Sequence, residues 1–337
     1  MQEPHSMGVK PLNDVSASPE DWDAEGEFRE CVVGPEAHRQ RLDKVLADLL
    51  PAFSRSYLKG LIEEGFVKTL GSDEPILKPS LSVNAGQLFR VHLQPTASSQ
   101  AYVAQAMPLN MVYEDEDVRV IDKPVGLVVH PAPGHWSGTL LNGLLACDPK
   151  ASQVPRAGIV HRLDKDTSGL MVVARHRQAM DALVNAIAAR QVQRQYLAIS
   201  SRPWQGPMER EVSLPMGRDP QQRLRMAVVD LRVHPGKPAQ TLFRCLQSNE
   251  HGALVQATLQ TGRTHQIRVH MASLGHPLVG DRLYGGARHD MIDRQALHAF
   301  HLSFTQPMTG KALRFESPLP ADMQSLLAAW GLKNPLG

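Results

Sequence analysis

GIVHRLDKDTSGLMVVAR, residues 158–175, sets a densely charged turn between two β-prone hydrophobic runs. His161, Arg162, Asp164, Lys165 and Asp166 crowd into six consecutive positions, and Thr167, Ser168 and Gly169 close the turn. Functional groups are commonly held on loops between rigid strands, so this segment predicts two sheet strands with a candidate site at their junction. A turn of the same composition also serves simply as a solvated connection.

Downstream, LQTGRTHQIRVHMASLGHPLVGDRLYGG covers residues 259–286. Read as a strand, QIRVH points Gln266, Arg268 and His270 to one face and Ile267 and Val269 to the other. Arg268 then leaves a core strand sideways, and a desolvated guanidinium needs a carboxylate or a phosphate opposite it. His265, His270 and His276 have neither HExxH spacing nor an accompanying carboxylate cluster, so no metal is expected.

The flanking sequence alternates in type. RHRQAMDALVNAIAARQV, residues 175–192, spaces Met180, Leu183, Val184 and Ile187 as one helix face. Upstream, MVYEDEDVRVIDKP gives a strand, an acidic turn and a second strand ended by Lys123 and Pro124. The fold class expected is α+β. Residues 108–335 form its larger domain, with a mixed, mostly antiparallel central sheet flanked by helices.

The N-terminal third differs. RLDKVLADLL places Leu42, Val45, Leu46, Leu49 and Leu50 at helical spacing before Pro51. Ser54 stands as an N-cap before RSYLKGLIEEG, which Gly65 ends. FVKTL and QLFRVHL follow as short β pieces separated by turn-forming GSDEP and NAG. These make a small α/β module over residues 36–95. The Pro-flanked PTASSQAYVAQAMP reads as a linker, residues 96–107, and residues 1–30 as a flexible acidic tail.

At 337 residues two domains are expected. Hydrophobic residues at 42% and charged residues at 21% place the chain among folded globular proteins. No run of about 18 apolar residues and no signal-peptide pattern occurs, so a cytoplasmic location is expected. Cys31, Cys147 and Cys245 are odd in number and lack CxxC pairing, which argues against a disulfide framework or a zinc site. Net charge is +2, but residues 1–30 carry eight acids and two bases, so the remainder carries 2 − (−6) = +8. That basic excess is compatible with a phosphate backbone as partner.

HRLDKDTSGLMVVAR, with TGRTHQIRVH, HPLVGDRLYGG and RQALHA, closely resembles the RluA-type pseudouridine synthases from about Pro108 to the C-terminus. Residues 36–95 resemble the S4 RNA-binding domain. IDKPVGLVVHP and the RNA-engaging loop RDPQQRLRMAV, residues 218–228, also match the family. The resemblance implies an isomerase with no cofactor, acting as a monomer on large-subunit ribosomal RNA or a pre-ribosomal particle, with helix 69 as the target. It assigns Asp164 as the catalytic carboxylate, Tyr196 as the surface on which the target base stacks, and Arg268 as the partner of Asp164. Arg41, Arg55 and Lys59 on the N-terminal helices, with His161, Arg162, Arg263 and His265, are the implied RNA contacts. Attack at C1′, attack at uracil C6 and abstraction of the 2′ proton all remain open as the role of Asp164. The alternatives are a non-catalytic S4-type rRNA-binding protein and a sugar hydrolase using Asp166 as a second carboxylate.

Overall fold

The computed structural model describes residues 27–51, 53–72, 74–93, 102–131, 136–222 and 225–336, in two compact units that divide between residues 99 and 100. Most of the expected tail, residues 1–26, and part of the expected linker, residues 96–101, lie outside the described residues.

The first unit runs β1 (Glu27–Val32), α1 (Leu42–Leu49), α2 (Arg55–Glu63), β2 (Val67–Thr69) and β3 (Leu88–Leu93). The stripe Leu42, Val45 and Leu46 of α1 packs on Leu58, Leu61 and Ile62 of α2 and on Phe89 and Val91 of β3. Ser54 Oγ caps α2 by accepting from Tyr57 N at 3.2 Å. The sheet order is β1-β3-β2, antiparallel throughout. β1 corrects the expectation of a flexible tail through residue 30. Its sequence is too acidic to announce a strand, and its Phe28 and Val32 are exposed, so the order comes from pairing with β3.

The second unit contains β4 (Asn110–Glu114), β5 (Val118–Lys123), α3 (Leu140–Cys147), β6 (Ser168–Ala174), α4 (Arg177–Ala188), β7 (Gln193–Ser200) and β8 (Glu209–Val212). It continues through β9 (Met216–Arg218), β10 (Met226–Val228), β11 (Thr241–Ser248), β12 (Ala253–Leu259), α5 (Gln266–Ser273), β13 (Leu297–Thr305), β14 (Ala312–Glu316) and α6 (Ala321–Ala329). Nine strands form one sheet in the order β4-β5-β6-β13-β7-β12-β11-β8, with β14 also on β13. Only β6 and β13 run parallel among these pairs. β9 and β10 make a separate two-stranded ribbon.

Helices cover both faces of the sheet. Ile121, Met171, Val173, Tyr196, Ala198 and Val255 pack with Leu140 and Leu144 of α3 and Ile267 and Met271 of α5. On the other face Val120, Leu170 and Val172 meet Ala179 and Leu183 of α4, and Leu197, Ile199 and Leu254 meet Met323, Leu326 and Leu327 of α6. β6 is buried along its whole length, which is why its sequence is a continuous apolar run rather than an alternating one. Gly169 lets β6 meet β13 beside the charged turn. Its φ is +113°, and a Cβ there would stand 2.2 Å from Ala299 O.

QIRVH is not a strand. It opens α5, and residues 266–271 are all buried. Five residues of alternating polarity cannot fix a period, and here each polar side chain has a tertiary partner that strand reasoning did not supply. Gln266 Nε2 donates to Gln240 O at 3.0 Å, and the His270 ring bridges Thr241 Oγ1 and Leu214 O at 2.9 and 3.1 Å. The readable sign of a helix was Gly275, which follows at φ +83° where α5 has ended.

Candidate active site

The charged turn is clamped from three sides. Lys123 is fully buried, and its Nζ donates to Pro124 O, Leu127 O and Lys165 O at 2.7, 3.0 and 3.0 Å. Arg294 Nη1 donates to Asp166 O at 3.1 Å while its fork holds Asp322 at 2.7 and 2.9 Å. Gln295 Nε2 donates to Thr167 Oγ1 at 3.2 Å. Within the turn, Thr167 N donates to Asp164 O at 3.1 Å. Burial pulls the Lys123 ammonium down to about 8, against the charges of Asp166 and Asp164. Lys123→Met keeps the volume and removes the donors of three carbonyls. Each orphaned group costs about 1–3 kcal/mol, so urea unfolding is expected to report a loss of a few kcal/mol, with kcat falling up to about 100-fold as the turn slackens.

Asp164, with 15% of its side chain exposed, meets Arg268 Nη1 at 3.1 Å through Oδ2. Arg268 is not a simple partner. Its Nε and Nη2 grip Asp281 at 2.7 and 2.8 Å, and its Cζ lies 5.0 Å from the centre of the Tyr284 ring. Burial opposes the Arg268 charge, but the hydrogen bonds and charges of Asp281 and Asp164 outweigh it and hold the pKa above the ordinary value. Asp281, whose side chain is 1% exposed, therefore aims the guanidinium at Asp164. Asp281 and Tyr284 lie in the motif HPLVGDRLYGG, but the sequence alone assigned neither of them a role.

His265 starts α5 in the left-handed region, at φ +59°, a conformation a non-glycine residue holds only when its surroundings fix it. Its Nδ1 is 2.8 Å from Tyr284 Oη, which itself accepts from Met226 N at 3.0 Å. The other ring nitrogen, Nε2, lies 3.9 Å from Asp164 Oδ1. Burial keeps this ring below its usual pKa, with Asp164 pulling the other way. Tyr196 on β7 faces the same region and is 4% exposed. Burial pushes its phenol up to about 12, opposed by Arg194 and reinforced by Asp164.

Asp164, Arg268, Tyr196 and His265 therefore share one site. His161 turns inward, where its Nε2 accepts from Val172 N at 3.1 Å. Arg162 is exposed on the turn, and Arg263 donates from Nε to Pro238 O at 3.2 Å at the surface. In the first unit, Arg41 and Arg55 both bind Asp43, at 2.9 and 2.8 Å, and Lys59 is 3.5 Å from Glu63. The Arg41 hydrogen bond, with that of Arg55, holds the Asp43 carboxyl down at about 2 against its burial. Among the described residues no group of three or more His, Cys, Asp and Glu side chains is placed to hold a metal.

Burial drops the His161 ring to about 3 and the His130 ring to about 4. Below pH 6.5 the unfolded chain takes up protons that the folded chain does not, so stability present above pH 6.5 is lost as pH falls towards these values. Each ring is expected to remove about 2 kcal/mol between pH 6.5 and 5. Urea midpoints at pH 7 and pH 5 check this, and His161→Gln should remove roughly half of the two rings' contribution to the difference.

A family model described as RNA pseudouridylate synthase matches residues 117–273. Over 309 residues the chain is 47% identical to the ribosomal large subunit pseudouridine synthase D of Neisseria meningitidis serogroup A, spanning 88% of this chain and 80% of that one. Over 299 residues it is 47% identical to the protein of the same name from Nitrosomonas europaea, spanning 86% and 84%. A solved structure, human RNA pseudouridylate synthase domain containing 1, is similar with 26% identity and a TM-score of 0.51, covering 67% of this chain and 96% of that one.

Proposed function

The chain belongs to the RNA pseudouridylate synthase family, and from that premise we propose that it isomerises uridine to pseudouridine in large-subunit ribosomal RNA, with Asp164 as the essential carboxylate. The observation that carries this reading is the setting of Asp164, a partly exposed carboxylate on a clamped turn, with one oxygen held by Arg268 and the other facing His265.

The reaction breaks N1–C1′, turns the uracil and joins C5 to C1′; the C5 hydrogen leaves as a proton and N1 takes one up. Nothing is oxidised or reduced, and no group is transferred from outside. An ionised carboxylate serves it as nucleophile at C1′, as nucleophile at uracil C6, or as base at C2′. In all three, Arg268 Nη1 holds Asp164 Oδ2 at 3.1 Å and so fixes the direction in which the carboxylate points. A uridine in folded RNA must leave its stack first, at a cost of a few kcal/mol. Tyr196, near Asp164 and 4% exposed among core side chains, is the ring on which the base would stack, so its face has to be uncovered as the base enters.

The first unit supports a second part of the proposal, an S4-type RNA-binding module. Its two helices pack on a small sheet and display Arg41, Arg55 and Lys59, each already near a carboxylate, so phosphate binding would compete with Asp43 and Glu63. No helix among the described residues is long and apolar enough to cross a membrane.

The test is tritium release from large-subunit rRNA carrying C5-labelled uridine. Release by the protein, with pseudouridine at the labelled site, is expected; RNA binding without release would favour a non-catalytic rRNA-binding protein. Helix 69 is the proposed target. Pseudouridine mapping in rRNA from a strain lacking the protein should show helix 69 unmodified, and an unchanged helix 69 would reject that assignment.

A further inference from the structure

Arg194 lies on β7, two residues before Tyr196, so strand alternation puts both side chains on the same sheet face. It is 6% exposed, and its Nε is completely buried with no hydrogen-bond partner. Among the described residues no carboxylate pairs with it, in contrast to the other buried arginines of this unit. Arg119 holds Asp148 and Glu114, Arg268 holds Asp281 and Asp164, and Arg294 holds Asp322.

A guanidinium does not discharge at neutral pH. Burying one without an anion costs several kcal/mol even after relaxation, and burial here does pull the Arg194 pKa below its ordinary value. Of its neighbours, Tyr196 belongs to the candidate site and Gly262 lies three residues before His265. Nη1 lies 2.9 Å from the point where a Cβ on Gly262 would sit, so the guanidinium packs against the turn between β12 and α5. The Arg194 charge is felt by both Tyr196 and His161. His161 is held neutral by burial and supplies no countercharge.

The site is thus built with a cation whose anion has to arrive with the substrate. Uracil is neutral, and its carbonyls would leave the charge uncompensated, whereas RNA brings one phosphate per nucleotide. We propose that Arg194 binds a phosphodiester flanking the uridine that enters the site, and so selects a nucleotide within a chain over a free nucleoside. This rests on the reaction proposed above.

Binding of the full-length protein to a large-subunit rRNA fragment containing the modified uridine, measured against salt, tests it. Arg194→Met should weaken binding at least 10-fold and reduce the slope of log K against log salt by about 0.7, one phosphate contact on a single strand. Arg194→Lys should keep the slope. RNA with a neutral methylphosphonate at one of the two linkages flanking the uridine should bind wild type as weakly as Arg194→Met binds normal RNA, with no further loss in the variant. If Arg194→Met does not fold, the methylphosphonate penalty on wild type decides alone. A wild-type slope in Arg194→Met, or no methylphosphonate penalty at either linkage, would overturn the proposal. Wild-type protein that binds with these slopes yet releases no tritium would reject the reaction and retain the phosphate contact.

Discussion

Asp164→Asn is expected to lower tritium release from C5-labelled rRNA by at least about 10⁴-fold while RNA affinity stays within a factor of a few. The amide is nearly isosteric but can neither attack carbon nor accept a proton, so all three chemical roles open to this carboxylate fail together. The loss should not come from misfolding. Arg268 keeps its bidentate grip on Asp281 whatever stands at position 164, and the turn is held by backbone and neighbouring groups that do not involve the Asp164 side chain. The melting temperature should therefore move by only a few degrees. Retention of more than about 1% of activity would move the chemistry elsewhere, and Asp166→Asn in the same assay would show whether the neighbouring acid carries it.

The sheet was legible where both signals in the sequence agreed. In residues 158–175 a charged turn interrupts apolar runs, and β6 forms after it, although the short run before it makes only an isolated bridge from Ile159 to Val173 rather than the expected strand; in residues 175–192 a helical stripe gives α4. It was illegible where order is supplied from a distance. β1 exists because β3 offers an edge, and nothing within its acidic sequence says so. QIRVH alternates in polarity and still folds as a helix, because Gln240, Thr241, Leu214 and Asp281, all distant in sequence or across a turn, take up its polar side chains. Arg268 had to meet an anion on desolvation grounds alone, and it meets two; that the second is Asp281 is a property of the fold. Arg194 was invisible for the opposite reason. A basic residue in a strand reads as an edge or a surface position, and only coordinates show it buried beside Tyr196 without a carboxylate.

Arg268→Met is expected to be the most destabilising single change in the site as well as an inactivating one. Methionine fills the space of the arginine stem, so cavity formation contributes little. What remains is Asp281, with 1% of its side chain exposed, and Asp164 beyond it, two carboxylates that shared one guanidinium and now have none. Stranding a buried charge in this way costs about 3–5 kcal/mol, and at about 2–4 °C per kcal/mol for a unit of this size the melting temperature should fall by roughly 6–20 °C. The double variant Arg268→Met with Asp281→Asn separates the two parts of the effect. Removing the stranded charge at 281 should return much of the lost stability, since contacting residues do not behave additively, but activity should stay absent because Asp164 still lacks the guanidinium that holds its Oδ2 in place. Recovery of both would mean that Arg268 serves only to neutralise Asp281. Recovery of stability without activity would place the guanidinium in the reaction itself, with Asp281 acting through it as a positioning residue.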